Sequence, residues 1–302
     1  MKKTLVAVAA LAAVFGAQAQ ATISGRVDVA LTVDGTDSTL GAGPNGGSEI
    51  TVAATEDLGN GLKATGAITL ITGIVGTGVA AADAPDTAQA VNMYNSHVGL
   101  SGEFGSVKLG SQFSPVFLAG TIGDATGRWN SLGLANPGEL QNGQSLTYTS
   151  PSISGVTLSF QRQLGTDGTA PDGFIQTGGG AAQAYSLTYS VGGFNIAYAN
   201  STDATNGDTT YIGANYDFGM AKVTYGNLDT EVGGDATANQ IGVSVPFGAL
   251  TVGAQFSSNG DDESATSYFA NYSVSKRTMV YLSSNTAADG AVTTSVGLKH
   301  DF

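Results

Sequence analysis

The chain has 302 residues, 24 acidic and 11 basic, for a net charge of -13, with no cysteine, two histidines and 44 glycines. The missing thiols exclude disulfide frameworks, thiolate metal sites, iron–sulfur clusters and cysteine nucleophiles, and two imidazoles leave little for acid–base or metal chemistry, so no cofactor is expected. Charged residues make up only 12% of the chain, and their acidic balance argues against a nucleic-acid partner, which needs clustered Lys and Arg.

Residues 1–19 read MKKTLVAVAALAAVFGAQA, with Lys2 and Lys3 before an apolar run that ends in Ala17-Gln18-Ala19. This is the order of a secretory signal peptide with a small-x-small cleavage site. The run is too short for a membrane-spanning helix, which needs about 20 apolar residues. Cleavage after Ala19 leaves 20–302 as the mature domain.

From residue 20 onward apolar and polar residues alternate, as a strand with two unlike faces requires. Ile23, Gly25, Val27, Val29, Leu31 and Val33 share one face, and Ser24, Arg26, Asp28 and Thr32 the other. The same parity recurs at 62–70, 185–191 and 250–256. Alternation alone fits a soluble sandwich as well as a lipid-facing wall.

The connections discriminate between the two. Short turn signals fall at 57–62, 102–105, 151–155, 192–193, 217–220, 246–249 and 275–276. Between them lie longer polar stretches at 34–48, 72–93, 113–143, 165–183, 201–208, 229–238, 258–264 and 284–291. Seven short turns and eight long loops make 15 connections and therefore 16 strands. Short–long alternation with an even strand number is the pattern of an outer-membrane barrel with periplasmic turns and extracellular loops. The expected fold is all-β, a 16-stranded antiparallel transmembrane β-barrel, too wide for side chains to fill and so enclosing an aqueous channel.

Within the first long stretch, Gly41, Gly43 and Gly46 spell a G-x-G-x-x-G dinucleotide pattern. Pro44 interrupts it, and a strand follows where that motif needs a helix, so it is rejected. His97 and His300 are far apart in the chain with no conspicuous nucleophile or acid beside them, and both are read as structural.

The stretch 113–143 lacks strand alternation and holds the single tryptophan, Trp129, with Asp124, Arg128 and Glu139. Val116, Phe117 and Leu118 would anchor such a segment against a wall. It is assigned as a third loop folded into the barrel, the competing reading being an exposed surface loop. Facing it, Arg26 and Asp28 have lumen parity on the first strand, and Lys63 and Lys108 lie near periplasmic strand ends. The expected constriction set is Arg26, Asp28, Lys108, Asp124, Arg128 and Glu139. Arg162 shares parity with outward Leu158 and Phe160, so it sits at the loop-side interface or follows a bulge. Acids in other loops, including Asp203, Asp208, Asp229, Glu231, Asp235, Asp261, Asp262 and Glu263, suggest a mild preference for cations. For 261–263 a solvated acidic loop is favoured over divalent-cation binding.

Residues 21–90 contain no Phe, Tyr or Trp, whereas Tyr148, Phe160, Tyr185, Tyr189, Tyr198, Tyr211, Tyr225, Tyr268, Tyr272 and Tyr281 lie in or beside later strands. The early strands instead expose Gly25, Ala54, Ala64 and Gly66. Small residues let backbones approach closely in a membrane, so strands one to three are expected to face a sister subunit.

Several segments also resemble a known family. They are MKKTLVAVAALAAV at the start, TEDLGNGLKA at 55–64, VGLSGEFGSVKLGSQFSP at 98–115, SLTYTSPSISG at 145–155, YSVSKRT at 272–278 and VGLKHDF at 296–302. Taken in order, they resemble the general diffusion porins of Gram-negative outer membranes, in their neisserial-like branch. The resemblance implies a homotrimeric 16-stranded barrel in outer-membrane lipid and lipopolysaccharide, its third loop narrowing the pore. It also implies that the terminal Phe302 is read by the outer-membrane assembly machinery; from its outward parity alone, Phe302 would simply meet lipid. Relatives of this branch often carry several constriction arginines and this barrel offers few, so anion selectivity is not carried over. The expected function is passive diffusion of small hydrophilic solutes and ions, without catalysis. A barrel serving mainly as a surface adhesin or anchor is the alternative.

Overall fold

A computed structural model describes residues 20–45, 47–72, 92–127, 135, 141–164, 183–203, 207–231, 236–261 and 263–302. The signal segment 1–19, and with it Lys2, Lys3 and Ala19, lies outside the described residues. So do Arg128, Trp129 and Glu139.

Antiparallel strands follow one another around a single closed wall. In chain order they are β1 (Gln20–Asp34), β2 (Asp37–Ala42), β3 (Ser48–Gly59), β4 (Leu62–Thr72), β5 (Asn92–Gly102), β6 (Gly105–Phe113), β7 (Gln141–Thr149), β8 (Val156–Gln163) and β9 (Gln183–Val191). The second half holds β10 (Phe194–Asp203), β11 (Gly207–Asp217), β12 (Lys222–Thr230), β13 (Ala236–Phe247), β14 (Leu250–Asn259), β15 (Ser264–Ser273), β16 (Thr278–Thr286) and β17 (Val292–Asp301). Closure comes from β1 pairing with β17, in a register that sets Val29 opposite Leu298 and Asp34 opposite Thr293. No sheet edge is then left to hydrocarbon, which cannot satisfy backbone N–H and C=O groups.

β2 and β3 together fill one position in the wall, so 17 strand segments make a 16-stranded barrel. The upper part of β1 pairs with β2, Val29 opposite Ala42, and the lower part pairs with β3, Arg26 opposite Glu49. Three steps along β1 thus face seven along the other chain, and the four extra residues form a bulge around Gly43, Pro44 and Asn45. The long first loop expected over 34–48 is instead a hairpin turned at 35–36, followed by this bulge. Strands also run into the polar stretches expected as loops at 201–208, 229–238 and 258–264. Polar residues continue the ladder there because its backbone bonds do not depend on an apolar face, and most of their side chains stay exposed or half-buried.

All seven expected short turns join the expected strands. One of the two-residue turns joins β3 to β4 through Asn60 and Gly61, both at positive φ (52° and 77°), as a primed hairpin turn demands. Outward positions are apolar and exposed, among them Ile23, Leu31, Val52, Ile68, Val98, Leu158, Leu187, Ile241 and Leu298. Inward positions are small or polar and mostly buried, among them Ser145, Gln161, Ser201, Thr209, Gln240, Ser257 and Ser295. A greasy exterior over a polar interior inverts the soluble pattern and rules out the sandwich alternative.

Two aromatics counted toward the lipid belt point the other way. Tyr211 and Tyr281 are 0% and 1% exposed and stand on the lumen face, between outward Ile212 and Val280 and their neighbours. Outward aromatics run from Phe104 and Tyr148 to Tyr272, with Phe302 alone reaching β1. Arg162 keeps its outward parity at the loop end of β8 through an unbroken register, so the interface placement holds and the bulge does not.

Candidate functional site

The segment after β6 turns into the barrel as helix α1 (Pro115–Ile122). Ser114 caps it, its Oγ accepting from the Phe117 N–H at 2.9 Å, and Pro115 occupies the first turn, where its missing N–H costs nothing. The helix is apolar nearly all round. Val116, Phe117 and Ala119 are buried, each large one worth about 1.5–3 kcal/mol when removed from water. The expected wall anchors therefore hold for Val116 and Phe117; Leu118 faces away, 49% exposed.

What receives α1 is a trough on the inner wall of β8 to β12, and the residues just after the helix run on to β13. Its floor is Ala197, Ala199 and Ala238 with Gly213, Gly226 and Gly242, where larger side chains would hold the helix off. A β-carbon at Gly213 would strike the Ala119 carbonyl, and one at Gly242 would strike Ala125. Polar side chains rising from the wall fasten the exit of the helix. Asn215 Nδ2 donates to the Ile122 carbonyl at 2.9 Å, and Gln240 Nε2 to the Gly123 carbonyl at 3.0 Å and to Tyr211 Oη at 3.1 Å. The Ala125 N–H donates to Gln255 Oε1 at 2.9 Å. At the entrance, Gln161 Nε2 donates to the Phe113 carbonyl at 3.1 Å. The described part of the third loop, 114–127, is thus docked inside the barrel, and the surface-loop alternative falls for it.

Sequence reasoning missed these docking residues. The signal was present, because alanine and glycine on the inward face of consecutive strands break the polar pattern that a wetted wall should show.

The expected constriction charges are dispersed. Asp124 follows α1, 6% exposed, and accepts from the Thr126 N–H at 2.9 Å and its hydroxyl at 2.8 Å, so its carboxylate shapes the loop's own turn. Asp28 faces inward as expected but is 0% exposed, covered by the bulge after β2. It accepts from Tyr281 Oη at 2.6 Å and from the Asn45 N–H at 2.9 Å, while its own N–H donates to Ser48 Oγ at 3.1 Å. The expectation of a wetted Asp28 is corrected: it is a buried clamp. Arg26, also inward, pairs with Glu49 at 3.1 Å, and neighbouring Lys299 pairs with Asp301 at 3.3 Å. Lys108 lies on the lumen face of β6, its stem over Gly99, with no ion pair to another described residue.

On the outside, the backbones of Gly25 and Phe302 exchange hydrogen bonds of 3.0 and 3.1 Å, which adds the last residue to the β1 ladder. The Phe302 ring lies over Gly25, where a β-carbon would come within 2.7 Å of its Cζ. Gly25 therefore has a use within its own chain. Ala54 and Gly66 stand opposite each other on β3 and β4, and Ala64 stands opposite Leu100 of β5.

A closed 16-stranded wall with its third loop pinned inside is the architecture of a pore, and the family model for Gram-negative porins matches residues 4–289. The chain belongs to the Gram-negative porins. A curated relative, outer membrane porin protein 32 of Delftia acidovorans, is 30% identical over 281 residues, covering 83% of this porin and 77% of the relative. Among solved structures, the anion-selective porin from Comamonas acidovorans shares the fold at a TM-score of 0.69 and 20% identity, covering 94% of this chain and all of that one. A mutant porin of Rh. blastica superposes at a TM-score of 0.72 with 16% identity and the same coverage. The porin is an outer-membrane protein that forms a diffusion channel, and not an enzyme.

Proposed function

We propose that the channel passes small hydrophilic solutes and ions down their own gradients, with size and charge limits set between docked α1 and the facing wall of β1 to β6. The observation that carries this reading is the fastening of α1 inside a barrel too wide for its own side chains to fill. Liposome swelling with sugars of graded size tests it. Swelling that falls off steeply with sugar mass supports the reading, and no swelling with any sugar removes it. No observation among the described residues favours the adhesin or anchor alternative.

The loop acids and the wall argue in opposite directions on charge. Among the acids, Asp208 and Glu231 meet each other's segment, with Glu231 Oε2 accepting from the Asp208 N–H at 3.2 Å. Glu263 accepts from Asn259 Nδ2 at 2.8 Å, and Asp235 and Asp262 lie outside the described residues. On the lumen face Asp28, Glu49 and Asp301 are spent on Tyr281, Arg26 and Lys299, and Lys63 and Lys222 stand opposite Asp57 and Asp217 in the ladder, which leaves Lys108 with no acid opposite it. The wall therefore favours a weak anion preference over the cation preference expected from the loops. The anion-selective Comamonas neighbour points the same way. The reversal potential in a salt gradient decides the sign, and a cation-selective value overturns this assignment.

The same proposal includes export with cleavage after Ala19, delivery by an assembly machinery that reads Phe302, and a homotrimer among lipid and lipopolysaccharide. The support for the trimer is the outer face of β1, β3 and β4, which carries Ala54, Ala64 and Gly66 and no described aromatic other than the Phe302 ring.

A further inference from the structure

On the outer wall of β12 to β15, where the barrel faces lipid, a groove of about 500 Å³ interrupts the surface. Its floor is Ala254 and Gly242, and Ile241, Val243, Phe256 and Tyr268 stand around it. We infer that this groove seats one acyl chain of a zwitterionic phospholipid whose headgroup carries an ammonium.

The strand register brings these side chains together. Val243 and Tyr268 lie opposite Ala254 on its two sides, and Ile241 lies opposite Phe256 one outward row nearer the loops. A methyl floor between larger side chains leaves a hollow in the wall. The hollow spans four strands, about 14 Å at about 4.8 Å per gap, close to the hydrocarbon depth of one leaflet, about 15 Å. A chain entering from lipid displaces no water, so what holds it is dispersion contact along a void that otherwise lacks partner atoms.

The polar end of the groove selects the lipid. The next outward row toward the loops is Asn227, Asn239, Ser258 and Ser264, each opposite the next across the same four strands. Tyr225 Oη and Asn227 Nδ2 both donate to Asn239 Oδ1, at 2.9 and 3.0 Å. The Asn239 amide N–H groups then remain as donors, and with the serine hydroxyls they suit the ester carbonyls at the head of an acyl chain. Beyond this row stand exposed Asp229 on β12 and exposed Asp261 in the turn after β14. Among the described residues of β12 to β15 the one base is Lys222, at the opposite, short-turn end. An ammonium headgroup meets these acids favourably, whereas a headgroup of net negative charge finds no cation to hold it.

The groove lies outside the pore, so its test and the channel reading fail separately. The purified protein, stripped of lipid in mild detergent, is titrated with phosphatidylethanolamine and with phosphatidylglycerol of the same chains and followed by native mass measurement. Wild type should retain one phosphatidylethanolamine per chain along a saturable curve and bind phosphatidylglycerol about tenfold more weakly. Ala254→Phe, which fills the groove from its floor, should abolish the saturable binding, and Leu158→Phe on the outer wall of β8 should leave it unchanged. Asp229→Asn combined with Asp261→Asn should narrow the difference between the two lipids. No saturable binding in wild type overturns the inference, as does equal affinity for both lipids, displacement of phosphatidylethanolamine by an equal concentration of lipopolysaccharide, or binding that survives Ala254→Phe. A lipid difference that persists in the double Asp variant overturns the headgroup assignment. Loss of subunit association in Ala254→Phe also overturns the inference, because it makes the groove a contact with a second copy. The comparison of lipids on wild type decides the matter even where a variant fails to fold.

Discussion

Asp28 illustrates how far one position can be read. Its parity on β1 placed it inside the barrel, and the structure agrees, but its burial depends on four extra residues in the facing strand that no alternation pattern announces. Gly43 fits there because a β-carbon would collide with both the Asp28 carboxylate and Tyr281 Oη. Replacing Asp28 with Ala strands the Tyr281 hydroxyl and the Asn45 N–H, and the expected loss is about 3 kcal/mol in urea unfolding, with single-channel current little changed. A current altered in sign preference would return Asp28 to the constriction. Phe302 was recognisable as an outward terminal aromatic, but its seat on Gly25 was not, because the two meet only once the barrel closes. Gly25→Val should displace the ring and lower the yield of heat-resistant folded protein in the outer membrane; an unchanged yield would separate Phe302's role from its seat.

At the scale of elements, the strand faces and all seven short turns were legible because period-two alternation and Gly-Asn punctuation are local signals. The helix was not, since eight mostly apolar residues with a proline show no polar face, and α1 is stabilised by the trough rather than by its own pattern. That dependence can be tested. Gly213→Leu should push α1 off the wall toward the pore axis and reduce single-channel conductance, as its added carbons meet the Ala119 carbonyl. Gln240→Leu removes the bonds to the Gly123 carbonyl and Tyr211 Oη, at a cost of about 1–2 kcal/mol, and should add open-channel noise. Quiet, wild-type conductance in both variants would mean the loop is held elsewhere.

For the whole molecule, strand number and closure followed from counting connections, but the charge preference did not, because counting cannot show which carboxylates are already paired. Oligomeric state belongs to this scale too. Ala54→Arg and Gly66→Arg together should convert a trimer to a monomer by native mass in mild detergent, since a charge on that face must be buried against a partner or exposed to lipid. A water-filled passage through the barrel is what the function requires, and single-channel recording in a planar bilayer measures that passage directly. Discrete steps whose current rises in proportion to voltage are the predicted result; a membrane that stays electrically silent despite verified insertion of the folded barrel would contradict it.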